Sequence, residues 1–307
     1  LSFLLFPASG RDDSHITYWA AHALSRFGEI VNYNGERVEQ ASSLLHVLVL
    51  AVAARLSGLA LPTLGPIIGI LSSALALVYT HKLASVFVSG PLAFATTMIV
   101  ATSVYFVYWT TGGLESTLAA LAVTYMVYHL VRFIDAPGVG KPGRWIWLAT
   151  AMFLLVRPEA FFVVTAALIG CLVPFLIRMI YVDNPPDSYD RSVVAKLLYL
   201  FLPVAVLGVG LFLFRYFYFG ALFPQPVTAK IADVPLARAA EVWESISVAL
   251  SKPQIVVIVA LVLMSATYAL YYATRRARSA EGARRLSLLV LVQVVTAASA
   301  IGLLIFL

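Results

Sequence analysis

The chain has a single cysteine, Cys171, in 307 residues, and only 12% of its side chains are charged. One thiol makes no intrachain disulfide, which excludes the small secreted scaffolds held together by cross-links. A soluble domain carries about a quarter charged residues. Half that proportion, with 61% hydrophobic residues and a mean hydropathy of +0.92, excludes a water-soluble enzyme. There is no GxxxxGK[ST] loop and no dinucleotide fingerprint on a strand–helix unit, so a nucleotide-borne substrate has no recognisable cradle. Acidic residues are scarcest, 15 against 21 Lys and Arg, for a net charge of +6. Cytoplasmic loops of membrane proteins concentrate Lys and Arg, so this balance calls for no nucleic-acid partner. What the sequence does have is long apolar runs, the mark of an integral membrane protein.

Eight stretches are apolar enough to be membrane helices or parts of them, near 44–62, 64–80, 83–109, 114–131, 145–181, 197–219, 254–273 and 286–307. They are too long and continuous for alternating barrel strands. The expected fold is all-α, a polytopic transmembrane helical bundle forming one domain over 1–307. The stub Leu1–Pro7 reads as the tail of a further span, and the last run stops without a polar flank. The sequence is therefore expected to be a piece of a longer protein. Five arginines between 274 and 285 place that loop in the cytoplasm. Residues 220–252 then form an outer loop, and so do 8–42 if 145–181 is one broken span. Two short helices hinged at Arg157-Pro158-Glu159 are the alternative, which leaves the sides between 82 and 144 open.

The first outer loop begins Arg11-Asp12-Asp13. Ile16, Trp19, Ala20, Ala23 and Leu24 recur at helical spacing, an apolar stripe opposite His15 and His22. This predicts an amphipathic juxtamembrane helix with Asp12 or Asp13 as its N-cap. Asn34-Gly35 predicts a tight turn. An aspartate before a helix has a purely structural use as a cap. A carboxylate held at a membrane boundary is also well placed to act as a general base. The second outer stretch runs from Arg215 through an aromatic cluster, Pro224 and Pro226 to Lys230, a fixed positive charge on the same side. Its aromatics read more readily as an interface belt than as a sugar platform. Arg157 stands in an apolar run, and an intramembrane charge is a functional candidate by default. His15 and His22 have no third partner at ligand spacing, so zinc is not expected.

Five motifs in order resemble the GT-C superfamily of lipid-linked-sugar glycosyltransferases. The nearest likeness is to the branch of the mycobacterial terminal arabinofuranosyltransferases and uncharacterised bacterial homologues. The motifs are Asp12-Asp13, Val31 to Glu39 around Asn34-Gly35-Glu36, Gly112-Gly113-Leu114-Glu115, Arg157-Pro158-Glu159, and Pro224 to Lys230. They cover residues 8 to about 232. The chain departs from the pattern after Glu39, where Gln40-Ala41-Ser42-Ser43-Leu44-Leu45-His46 replaces a glycine followed by a Ser/Thr-Pro/Asn-Leu-Trp run. Gln225 also replaces the usual asparagine. These departures bear on which sugar and acceptor are used more than on the chemistry.

The resemblance implies a GT-C-like bundle in a bacterial inner membrane, with its site facing the periplasm or outside. It implies inverting transfer of a sugar from a polyprenyl-phosphate donor to a hydroxyl of a glycan, lipid or protein acceptor. Asp12 is the expected base. Asp13 would orient the acceptor or help hold a divalent cation, and the two roles are interchangeable. No fixed cofactor is implied. Lys230 and Arg157 are the expected phosphate ligands, with Arg11 and His46 behind them, and Glu115, Glu159 and Glu39 complete the substrate-binding set. Two rival readings are a secondary transporter using Arg157-Pro158-Glu159 on a broken helix, and a non-catalytic subunit of a membrane complex.

Overall fold

The computed structural model describes residues 12–135, 144–157 and 188–226, with short helical pieces at 160–161, 164–165, 168–169 and 172. The arginine loop, the last two expected spans and most of the second outer loop lie outside the described residues. Regular structure among the described residues is entirely helical. The helices are α1 (Asp12–Phe27), α2 (Leu44–Ser57), α3 (Leu61–Phe87), α4 (Gly90–Thr102), α5 (Val104–Thr110), α6 (Ser116–Asp135), α7 (Arg144–Val156) and α8 (Ser188–Phe219).

Among the described residues, three helical stretches are long and apolar enough to cross a membrane: Leu61–Phe87, Ser116–Phe133 and Leu198–Phe219. The pair α4–α5, bent by 62° at Ser103, makes a fourth if counted as one broken span. These helices turn apolar side chains outward, among them Leu92, Phe94 and Ile99 on α4 and Val206, Val209 and Phe217 on α8. A bundle built for water would bury such contiguous faces. α2 and α7 are apolar but have only 14 and 13 residues, short of the about 20 a crossing needs. The expected break near residues 80–83 is absent. α3 runs on through His81 and Lys82, because neither residue breaks a helix and the Lys82 ammonium lies over the Tyr79 ring, 4.9 Å from its centroid. The helix stops instead before Ser89-Gly90-Pro91, where Pro91 stands in the first turn of α4, a position at which its missing N–H costs no helical hydrogen bond.

The described residues fall into two compact units. The first is bounded by Leu1–Val131, Arg144–Ala160 and Val206–Ala229, and the second takes Arg132–Gly143, Phe161–Ala205 and Lys230–Leu307. In the second, Val164, Leu168, Leu200 and Val204 are buried. The first holds the residues considered below. Its core joins α1, α2 and the start of α3, with Ala20, Ala21 and Ala51 letting the helices approach around Val47, Leu50 and Leu64. Ser43 caps α2, its hydroxyl accepting from the His46 N–H at 3.2 Å.

The predicted face of α1 is corrected. The helix starts at Asp12, so both aspartates stand in its first turn, where negative charge suits the helix dipole. Its most deeply buried arc runs through Ser14, Thr17, Tyr18 and Ala21, while Ile16 and Trp19 remain 42% and 38% exposed. Ala20 and Ala23 of the expected stripe are buried and Leu24 packs partly buried against the core, but Ile16 and Trp19 do not. Tyr18 sets the rotation by fitting against two glycines, Gly65 of α3 and Gly113, where an added Cβ would collide with its hydroxyl. Trp19 is held outside, its indole N–H donating to the Val31 carbonyl at 3.1 Å.

Gly113 is also in the left-handed region, at φ +73°. Gly113→Ala therefore meets a conformational cost of about 1–2 kcal/mol and an overpacking cost of about 1–3 kcal/mol against Tyr18. The expected result is a clear fall in Tm. Adding Tyr18→Phe, which removes the colliding hydroxyl, should recover the overpacking part. An unchanged Tm for Gly113→Ala contradicts the packing described.

Candidate functional site

The Asn34-Gly35 turn forms as expected, with Gly35 at φ +85° and its N–H donating to the Asn32 carbonyl at 2.9 Å. It leads the chain back to Glu39 and Ser42 beside the turn Thr111–Glu115. There the Ser42 hydroxyl donates to Glu115 Oε1 at 2.6 Å. The same oxygen is 3.3 Å from Arg157 Nη1. His46 lies close enough for its charge state to couple to Glu115. Glu115 and His46 are buried, at 4% and 1% exposure. Glu115 Oε2 and His46 Nδ1 are buried atoms that make no hydrogen bond among the described residues. A buried polar atom left in that condition carries a desolvation cost and marks a place for a polar partner.

Burial pushes the Glu115 carboxyl up. The Arg157 guanidinium, the Ser42 hydroxyl, its own backbone and His46 outweigh that and hold it below the usual carboxylate value. Burial lowers the His46 imidazole, and the Glu115 charge only partly restores it. The cluster therefore contains an ionised Glu115 and a neutral His46 at neutral pH. Both groups titrate lower folded than unfolded, so their stabilisation is present above the unfolded values and is lost as pH falls. The His46 part begins to go below its unfolded value of 6.5, and the Glu115 part below 4.5. Thermal unfolding in lipid nanodiscs from pH 8 to pH 5 should show Tm falling below about 6.5, with His46→Gln flattening that fall. Parallel profiles for wild type and His46→Gln contradict the assignment.

A second ion pair starts from Glu39, three residues before Ser42. Arg215 grips Glu39 with two parallel hydrogen bonds, Nε to Oε2 at 2.7 Å and Nη2 to Oε1 at 3.1 Å, with both residues buried. Glu39 was expected on substrate, but both its oxygens are already occupied. Burial still raises its carboxyl above the ordinary value, opposed by Arg215. The Glu39 carbonyl accepts from the Gln225 N–H at 2.9 Å, and the Tyr218 hydroxyl accepts from the Ile30 N–H at 2.9 Å. The 28–43 loop is thereby tied to the end of α8 and the chain after it.

The first turn of α1 comes against the glycine turn. Ser14, fully buried, lies 3.5 Å from where a Cβ on Gly113 would stand, and the neighbouring Asp13 is exposed. The Asp12 side chain, Arg11, Glu159 and Lys230 lie outside the described residues. So, therefore, does the expectation that Asp12, Asp13 and Lys230 line one cavity. Among the described residues no three His, Cys, Asp or Glu side chains gather as a metal site. Sequence reasoning missed Ser42, Tyr18 and the Arg215 partnership. Arg215 had a signal, a lone cation ending an apolar run, whereas Ser42 had none.

Among the described residues, the fold is helical, with helices long and apolar enough to cross a membrane. No protein-family model, no curated protein and no solved structure matches the chain.

Proposed function

We propose that the chain is a GT-C-like membrane glycosyltransferase that moves a sugar from a polyprenyl-phosphate donor to an acceptor hydroxyl on the outer face. One observation carries this reading: the described residues of motifs scattered over more than two hundred residues lie in one compact unit. Ser14, next to the aspartates, meets Gly113. Ser42 and Arg157 meet Glu115, and the Glu39 carbonyl meets Gln225 of the proline motif.

In this mechanism an aspartate of the first turn takes the proton from the acceptor hydroxyl. The acceptor oxygen attacks the anomeric carbon from the face opposite the phosphate. The bond from that carbon to the phosphate oxygen breaks, and polyprenyl phosphate leaves with the electron pair. Inversion follows from the single displacement. Arg157, fixed by Glu115, and Lys230 would stabilise the charge on the departing phosphate. Asp13 would orient the acceptor or share a divalent cation with Asp12. The site would face the periplasm or outside of a bacterial inner membrane.

The transporter reading has a broken helix available in α4–α5. Yet Gly90 to Thr110 contains no Asp, Glu, Lys, Arg or His, the groups that mark an ion or proton pathway within a membrane helix. A transfer assay in membranes with radiolabelled polyprenyl-phosphate sugars tests the proposal. Asp12→Asn and Asp13→Asn are compared with wild type. Loss of about 10²- to 10⁴-fold in one of them is the size expected for a general base. Full transfer by both variants sinks the assignment.

A further inference from the structure

One side of α1 and the turn that joins α2 to α3 enclose a pocket of about 1000 Å³. Two arginines, Arg26 and Arg55, and two histidines, His15 and His22, stand on its walls with Trp19 and Leu59. We propose that this pocket holds the phosphate of an anionic membrane phospholipid, as a bound lipid and not as a substrate. The ligand differs from the sugar donor, whose phosphate falls to Arg157 and Lys230 in the transferase reading. The proposal stands whether or not that reading does.

The local fold brings the cations together. Gly58, at φ +70°, closes α2 with its N–H on the Ala54 carbonyl at 2.9 Å, and Arg55 stands in the last turn before it. From there the Arg55 side chain reaches α1, where Nη1 donates to the Ser25 carbonyl at 3.0 Å. That bond holds one branch of the guanidinium at the negative end of the helix. The other donors of the fork are left for a ligand, and planar pairs of N–H groups match phosphate oxygens. Arg26, the residue after Ser25, brings a second guanidinium to the same pocket. Among the described residues the ion pairs use other arginines, Arg37, Arg157 and Arg215. His22 adds a ring N–H donor, set between Trp19 and Phe27 at 5.7 and 6.3 Å between ring centroids.

Position and flanks select a lipid over a soluble phosphate. Residues Gly58 to Pro62 of the pocket lead into α3, a helix long and apolar enough to cross a membrane. The start of a crossing helix lies at the headgroup layer, where basic side chains meet anionic headgroups. Beside each arginine the surface is apolar. Phe27 follows Arg26 and is 66% exposed, Leu56 follows Arg55 and is 83% exposed, and Leu59 on the pocket wall is exposed as well. A soluble phosphate would leave these side chains in water, whereas the acyl chains of a phospholipid cover them. Cations with apolar neighbours at one end of a span are the arrangement that an interfacial lipid satisfies at both its parts.

The test titrates the full chain in detergent micelles with phosphatidylglycerol and with phosphatidylcholine of the same acyl chains, followed by native mass spectrometry. Phosphatidylglycerol should bind at least tenfold more tightly, because choline offsets the phosphate charge of the other lipid. Arg26→Gln with Arg55→Gln, both at exposed positions, should weaken that binding by roughly tenfold or more. Arg26→Lys with Arg55→Lys keeps the charge without the fork and should fall between. Lys82→Gln with Arg132→Gln removes the same charge from exposed positions elsewhere and should change nothing. Arg26→Gln alone breaks no hydrogen bond among the described residues, so it carries the test, with a smaller loss, if the double variant fails to fold. Equal binding of the two lipids, binding that survives the glutamine variants, or equal losses in the two charge-matched pairs overturns the proposal. So does displacement of the lipid by inorganic phosphate or glycerol 3-phosphate at comparable concentration, which would assign the pocket to a soluble phosphate.

Discussion

Replacing Glu115 by alanine is expected to destabilise the chain by about 3–5 kcal/mol, the cost of breaking a buried ion pair by removing one member. Arg157 loses the carboxylate at 3.3 Å, Ser42 loses its acceptor at 2.6 Å, and His46 loses the charge that favours its protonation. Glu115→Gln keeps the shape and an acceptor for Ser42, so it should fall between wild type and alanine. The pH profile adds a separate readout. Without the Glu115 charge nothing offsets the burial of His46, whose imidazole should then titrate still lower, as followed by its ring NMR signals. Under the transferase reading Glu115→Gln should also cut transfer, because Arg157 would no longer be held for the leaving phosphate. An alanine variant as stable as wild type would remove the cluster from the account of the fold.

The second large effect is at Glu39 and Arg215. Truncating either partner alone should cost about 3–5 kcal/mol, since the remaining charge is buried with no counter-ion. Replacing both, as Glu39→Leu with Arg215→Met, should recover most of that loss, because an apolar pair of similar volume needs no desolvation of ions. Thermal unfolding of the four proteins gives the coupling energy directly. Losses that simply add would show the two side chains to be energetically independent. The double variant is the informative one for function. The Gln225 N–H bond to the Glu39 carbonyl survives in it, since that carbonyl belongs to the backbone. Transfer that weakens in a well-folded double variant would assign the ion pair to setting the proposed site, beyond its share in stability.

Much of this is legible in the sequence. Asn34-Gly35 announced its turn, because a side-chain acceptor beside a residue free to take positive φ is a local property. The apolar runs announced helices, since length alone separates them from strands. Boundaries were harder. Sequence put a break at His81-Lys82 because polar residues interrupt the hydropathy, whereas the helix responds to backbone geometry and stops before Ser89-Gly90-Pro91. The face of α1 was misassigned for a related reason. Hydropathy ranks Ile16 and Trp19 as core, but the space available beside Gly65 and Gly113 fits Tyr18. Glu39 shows the widest gap: its partner stands 176 residues away, and no local pattern pairs the two. Glu115 and Arg157 were each singled out separately, and what sequence left open was that they touch.

The length of α3 bears on all of this. At about 1.5 Å per residue its 27 residues extend about 40 Å, against a hydrocarbon layer of about 30 Å. In a bilayer it must lean, or push its end with Tyr79 and Lys82 into the headgroups, and the balance shifts with the thickness of the surrounding lipid. Gly65, near the other end of that lever, abuts Tyr18 on the aspartate-bearing helix. Lipid thickness thus becomes a mechanical input to the site: short-chain and long-chain bilayers should set α1 at different angles over the Gly113 turn.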